Sequence, residues 1–178
     1  MERRTKDAFA VWVTGLPASG KSTLVASLKA QLANGGIDVA VLESDVLRQV
    51  FTLHPRYDEE EREAFYRQMV FVGMLLTQHG VPVIFDATAN RRSYRDQARR
   101  QIPRFLEVYM DCPLEVCVAR DPKGIYRKSR EGATRAVPGL QATYEPPESP
   151  DVVVHGGTEM PESAAQRVIV KLLEKGYL

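Results

Sequence analysis

Gly15-Leu16-Pro17-Ala18-Ser19-Gly20-Lys21-Ser22-Thr23 carries the spacing G-x-x-x-x-G-K-[ST], and its surroundings decide the fold. Before it, Phe9 to Thr14 is a short apolar run rich in β-branched and aromatic residues, which predicts a buried strand. After it, Lys21 to Asn34 predicts a helix closed by the Gly35-Gly36 pair. A glycine-bearing turn between strand and helix points successive backbone N–H groups inward, beside the positive end of the helix dipole, which makes a cradle for phosphates. Lys21 is then expected to span the outer phosphates of ATP, and the Ser22 hydroxyl to ligate Mg²⁺. The predicted ATP contact is the whole loop: Gly15, Leu16, Pro17, Ala18, Ser19, Gly20, Lys21, Ser22 and Thr23.

Outward from this loop, strand and helix keep alternating. Ile37 to Asp45 predicts a second strand ending in acids, and Val46 to Phe51 a short helix. The acidic stretch Asp58 to Glu63 opens a longer helix, where negative charge suits the positive dipole end; Phe65, Met69, Val72 and Leu76 follow at helical spacing and Gly80 stops it. Val81 to Ala87 predicts the third strand, Arg91 to Arg100 a basic helix, Phe105 to Asp111 the fourth strand and Pro113 to Arg120 the helix after it. Asp121 to Pro150 has no clear period and carries Gly and Pro, so it reads as a lid, within roughly 120–145, followed by an ordered loop. Asp151 to His155 is the fifth strand, and Ala165, Val168, Ile169 and Leu172 mark the inner face of the last helix.

Strands that are nearly continuous apolar runs belong to a parallel sheet covered on both faces. The expected fold class is therefore α/β, a P-loop NTPase with a five-stranded parallel sheet, helices on both faces and a lid, in one domain over residues 1–178. In such sheets ligands sit beyond the carboxyl ends of the strands, which gathers the candidates at Gly15 to Thr23, Glu43 to Asp45, Asp86 and Asp111.

Phosphoryl transfer needs an acid at the acceptor hydroxyl and acids around the water shell of the magnesium. Asp45 fits the first role and, with Ser22, the metal; Asp86 fits the acid behind a bound water, so Lys21, Asp45 and Asp86 are the catalytic candidates. Helix N-capping is the competing reading of both aspartates. Asp111, just before Pro113, reads as a turn residue.

Composition narrows the partners. With 24 Lys+Arg against 23 Asp+Glu, the chain has no global field to hold it on nucleic acid or an anionic membrane. Cys112, Cys117 and the scattered His54, His79 and His155 give neither a disulfide framework nor a zinc spacing, so reduced thiols in a cytoplasmic protein are expected. The opening lacks the pattern of a secretory signal, and no run approaches the roughly 20 apolar residues of a membrane span. Arg91, Arg92, Arg95, Arg99 and Arg100 on one helix read as a solvated face. Arg120, Lys123, Arg127, Lys128 and Arg130 in the lid are placed to close on a transferring phosphoryl group.

Three blocks carry a family resemblance: "VWVTGLPASGKSTLV" from Val11, "VYMDCPLEVCVARDPKGIYRKSREG" from Val108, and "PGLQATYEPPESPDVVV" from Pro138. Together they resemble adenylyl-sulfate kinases, which phosphorylate the 3′-hydroxyl of adenosine 5′-phosphosulfate, and they span rather more than half of the chain. The resemblance implies Mg-ATP as donor, a small nucleotide as acceptor, a homodimer, and a place in sulfate assimilation. By position it implies that Asp45 is the acid of the family's Gly-Asp-Asn motif and that Arg48 and Arg62 grip the acceptor. Tyr57 falls where a ring packs on its adenine, Lys123 near the phosphosulfate, and Arg120 in the lid over ATP.

The middle of the chain departs from that pattern. Val46 replaces the asparagine of the Gly-Asp-Asn motif, Phe65 stands where an acceptor-binding asparagine is expected, and Val137 where a second stacking ring is expected. "FDATANRRSYR" from Phe85 replaces an Ile-Ser-Pro-Tyr-Arg block, and with "SDVLR" it is similar to the broader set of small kinases acting on sugars, polynucleotide 5′-ends and other hydroxyls. A kinase for another acceptor is therefore one alternative, and an ATP-binding regulator without turnover is another.

Overall fold

The computed structural model describes residues 8–52, 54–132 and 136–178. Its strands are β1 (Ala10–Gly15), β2 (Ala40–Glu43), β3 (Val83–Asp86), β4 (Phe105–Asp111) and β5 (Val152–His155), all parallel in the order β2-β3-β1-β4-β5. The helices are α1 (Lys21–Asn34), α2 (Ser44–Phe51), α3 (Glu59–Gln78), α4 (Arg92–Gln101), α5 (Leu114–Arg120), α6 (Ile125–Arg130) and α7 (Pro161–Glu174). The α/β class and five-stranded parallel sheet are as the apolar runs predict.

β1 is central and buried along its whole length because both its faces are covered. Alternate side chains of a strand point to opposite faces. Val11 and Val13 accordingly join Leu24 and Leu28 of α1 and Val168 and Leu172 of α7, whereas Ala10 and Trp12 join Phe65 and Met69 of α3 and Tyr94 and Ala98 of α4. Burying each leucine this way contributes about 1.5–3 kcal/mol. Trp12 stacks on Phe85 with ring centroids 4.5 Å apart, and its Nε1 donates to the Ala87 carbonyl at 3.1 Å, so no polar group is stranded in that layer.

The main departures from the sequence reading lie around β2 and in the lid, the other elements shifting by no more than two residues. The second strand is only Ala40–Glu43, because the close of α1 takes up the residues before it: Gly36 N–H donates to Ala33 O and Ile37 N–H to Leu32 O. Ser44 and Asp45 belong to the first turn of α2, where an acid meets the positive end of the dipole. Inside the aperiodic lid a six-residue helix forms, too short to show a period. Asp121, ahead of its cap residue Gly124, supports its first turn, the carboxylate accepting from the N–H groups of Tyr126 (3.2 Å) and Arg127 (2.9 Å).

The register aligns the functional edge. Glu43 lies opposite Asp86 and Asp86 opposite Val13, so β2 and β3 finish together and β1 runs two residues beyond them into the loop that leads to α1. Cys112 and Cys117 are free and buried beside Tyr126 and Val137, and burial pushes the Cys117 thiol up to about 12.

Candidate active site

The loop between β1 and α1 is built on close approach. Gly15 has φ 154°, and a Cβ there would lie 2.8 Å from the Cβ and carbonyl oxygen of Met110 on β4. Gly20 (φ 102°) leads into α1 with no side chain capping its first turn, which leaves the helix N–H groups for an anion. Ala18, at φ 60°, holds the left-handed conformation that a residue with a Cβ rarely adopts. Ser19 Oγ is buried without a hydrogen-bond partner among the described residues, a polar atom that a phosphate in this loop would satisfy.

Lys21 is buried, and its Nζ donates to the carbonyls of Gly15 at 3.0 Å and Leu16 at 2.8 Å. Burial lowers its pKa from 10.5 to about 8, against the opposing pull of Asp86 and then Asp45. A cleft of about 530 Å³ opens on this ammonium. Among its lining residues are Ser22, Thr23, Asp45, Asp86, Arg120 and Lys123, so the structure brings together the catalytic candidates and most of the predicted ATP contacts.

Neither aspartate caps a helix. Asp45 lies within the first turn of α2, whose cap position is Glu43, and Asp86 ends β3, well before α4 begins. Asp45 Oδ2 instead accepts from Lys123 Nζ at 2.7 Å. Arg120 Nη1 donates to the Gly156 carbonyl at 2.6 Å, joining α5 to the turn after β5. Asp111 lies outside the cleft lining, exposed, with its Oδ2 3.8 Å from His155 Nδ1.

Among the described residues no group of three or more His, Cys, Asp or Glu is arranged to hold a metal. Among the oxygens lining the cleft are the Ser22 hydroxyl and the carboxylates of Asp45 and Asp86. That set fits Mg²⁺, a hard cation that takes several of its oxygens from phosphate and water.

Thr88, Gly156, Glu159 and Pro161 also line the cleft, and the sequence reading passed over them. They belong to no motif. Position alone could have flagged Gly156, since it follows the carboxyl end of β5, where ligands of such sheets gather.

The acceptor candidates other than Lys123 lie outside this lining. Arg48 is buried on α2 and forms an ion pair with Glu61, while its guanidinium lies 3.9 Å from the Phe65 ring centroid and 4.9 Å from that of Tyr57. Phe65, expected as a departure from the acceptor set, is thus a core ring that supports Arg48. Arg62, also buried, donates from Nε to the Tyr57 carbonyl (2.8 Å), from Nη1 to Asn90 Oδ1 (2.9 Å) and from Nη2 to the Ala136 carbonyl. Tyr57 is 44% exposed with φ 59°, leaving ring surface open. Val137 is buried with Cys112, Cys117 and Tyr126 and offers no stacking face, and Val46 is exposed.

The basic cluster at α4 is a solvated face only in part: Arg99 and Arg100 are exposed, but four of its arginines are engaged. Arg95 is 1% exposed and donates to Glu107 Oε1 at 2.7 Å and to the Ala89 and Glu145 carbonyls. Arg99 pairs with the same Glu107 at 3.0 Å, Arg91 with Glu59 and Arg92 with Glu148. Its charge is spent fastening α4 to β4 and to the segment returning from the lid.

Comparison with known proteins agrees with this geometry. The model of the adenylylsulphate kinase family matches residues 7–155. The adenylyl-sulfate kinase of Synechococcus sp. (strain JA-2-3B'a(2-13)) is 40% identical over 168 residues, 94% of this chain and 96% of that one. The probable adenylyl-sulfate kinase of Pyrococcus abyssi is 38% identical over 174 residues, 97% and 99% of the two chains. The structure of the Mycobacterium tuberculosis APS kinase CysC in complex with AMPPNP and APS superposes with a TM-score of 0.88 at 32% identity, covering 94% of this chain and 98% of that one. With a family model across most of its length and relatives matched nearly end to end, the chain belongs to the adenylylsulphate kinase family.

Proposed function

We propose that this protein transfers the γ-phosphoryl group of ATP to the 3′-hydroxyl of adenosine 5′-phosphosulfate, giving 3′-phosphoadenosine 5′-phosphosulfate and ADP. One observation carries the reading: in a chain of this family, Lys21, Asp45, Asp86 and Lys123 converge on one cleft at the carboxyl edge of the sheet. Phosphoryl transfer asks mainly for positioning and charge neutralisation, so no covalent intermediate on the protein is needed.

Gly15 to Thr23 hold the phosphate tail, with Lys21 on the outer phosphates. Ser22 and, partly through water, Asp45 would hold Mg²⁺, which would supply neutralisation of the phosphate charge. Asp45 accepts the proton of the attacking hydroxyl, and Asp86 orients water behind it. Arg48, Arg62 and Tyr57 hold the acceptor, Lys123 its phosphosulfate, and the lid, approximately 120–145 and carrying Arg120, closes to exclude water. We place the protein in the cytoplasm as a single-domain chain and a homodimer, with neither membrane nor nucleic acid as partner. The exposed Phe71 and Leu75, one turn apart on α3, support a partner subunit, and among the described residues no helix is long and apolar enough to cross a membrane.

The test is a panel of acceptors with γ-labelled ATP: adenosine 5′-phosphosulfate, gluconate, shikimate and a 5′-hydroxyl oligonucleotide. Label is expected on the first, and Lys21→Ala is expected to abolish most of that transfer. Label captured by another acceptor alone would replace the assignment, and nucleotide binding with no transfer to any would favour a regulator.

A further inference from the structure

We infer that Asn90 is a positioning residue for the acceptor side, a side chain that binds both Arg62 and the segment returning from the lid and so helps to set the direction of the one and the path of the other. This rests on the reading of Arg62 as an acceptor-binding residue. Asn90 lies in the loop between β3 and α4 and is 7% exposed. Its Oδ1 accepts from Arg62 Nη1 at 2.9 Å, its Nδ2 donates to the Thr143 carbonyl at 3.0 Å, and its own carbonyl accepts from Glu145 N–H at 2.7 Å. Only an amide offers an acceptor and a donor together at this size; aspartate keeps the first and loses the second.

The backbone is shaped to deliver it. Ala89, just before it, is buried at φ 41°, a conformation that costs strain and persists only where the surroundings enforce it. They do so here, since Ala89 N–H donates to Tyr66 Oη at 3.0 Å and its carbonyl accepts from buried Arg95.

The link continues to the phosphate loop. Tyr144, between the two residues that Asn90 holds, places its hydroxyl 3.1 Å from Thr14 Oγ1, and Thr14 is the penultimate residue of β1. Asn90 thereby connects an arginine on α3 to the base of the ATP site. Of the five N–H groups of Arg62, the contacts to Tyr57, Asn90 and Ala136 use three among the described residues, leaving one on each terminal nitrogen to meet an anion in a set direction.

Asn90→Ala and Asn90→Asp test this by steady-state kinetics with both substrates and by hydrogen exchange without ligand. Asn90→Ala is expected to raise KM for adenosine 5′-phosphosulfate tenfold or more, leave KM for ATP within twofold, and speed exchange at Thr143 to Glu145. Asn90→Asp, keeping an oxygen for Arg62, is expected to raise the acceptor KM less than the alanine variant while exchange at Thr143 to Glu145 still quickens. Unchanged acceptor KM, equal increases for both substrates, or unchanged exchange in these variants would overturn the inference. Should the wild-type protein not use this acceptor at all, the functional reading falls, and exchange alone then decides whether Asn90 holds the segment.

Discussion

Lys123 Nζ donates to Asp45 Oδ2 at 2.7 Å, tying the start of the lid to the first turn of α2 across residues that both line the ATP cleft. The two side chains are 63% and 68% exposed, so the pair is worth at most about 1 kcal/mol and yields when a charged substrate enters. Asp45, chiefly through this hydrogen bond, raises the Lys123 pKa above its ordinary value. The contact thus joins the segment after α5 to the carboxylate proposed above as the base.

Removing each partner separates the roles. Asp45→Asn keeps the size but not the base, and kcat is expected to fall by about 10²–10⁴. Lys123→Ala is expected mainly to raise the acceptor KM. Initial rates with each substrate varied in turn would check both, and a wild-type kcat in Asp45→Asn would remove it from the chemistry.

Lys21 gives a pH signature. Burial has lowered its pKa to about 8 in the empty site, whereas a bound polyphosphate favours the charged form. Below about pH 8 the ammonium is already present and nucleotide affinity is expected to be flat. Above it binding must take up a proton, and affinity should decline toward tenfold per pH unit. The empty protein runs the other way: between about pH 8 and 10.5 the unfolded chain holds the extra proton, so the Lys21 contribution to stability improves as pH rises. Calorimetry of ADP binding from pH 7 to 9.5 in buffers of different ionisation enthalpy reads the proton directly. Lys21→Arg, which does not titrate there, should bind more weakly but with a flat profile.

The five strands and the ATP loop were legible because each strand is a largely buried apolar run and the G-x-x-x-x-G-K-[ST] spacing sits where one ends and a helix begins. What escaped depends on tertiary partners. Nothing local to Arg95 announces that Glu107, twelve positions on, will neutralise it in the interior. Phe65 read as a missing polar contact, yet it lies in the core beneath Arg48, a relation set by how α2 packs on α3. Asn90 has no motif at all; its importance comes from Arg62 and Thr143, which the chain brings from either side.

Arg95 provides a stability test of that network. Arg95→Met removes the partner of a nearly buried Glu107 and strips a donor from one buried and one partly buried carbonyl, a loss of about 3–5 kcal/mol. Arg99, at 3.0 Å from Glu107, keeps that carboxylate partly compensated and places the expected value at the lower end. Arg91→Met, on the exposed ion pair with Glu59, should cost less than about 1 kcal/mol. Urea unfolding of both variants gives the contrast, and equal small losses would return α4 to the status of a solvated face.

Gly73 sets two effects of opposite sign against each other. It lies within α3, where replacing glycine by alanine normally stabilises a helix by about 1 kcal/mol. Here a Cβ would sit 2.1 Å from Cζ of Phe85 and 2.7 Å from its Cε1, and the ring cannot retreat freely because Trp12 stacks on it at 4.5 Å. Overpacking of this kind costs about 1–3 kcal/mol and, at so short a distance, falls toward the upper end. Gly73→Ala is therefore expected to destabilise the protein by about 1–2 kcal/mol net, measured as a lower urea midpoint. Its KM for ATP should stay within twofold, since the clash lies between α3 and β3, away from the cleft. A stabilised variant would mean that the layer between Trp12 and α3 repacks more easily than its stacked rings imply.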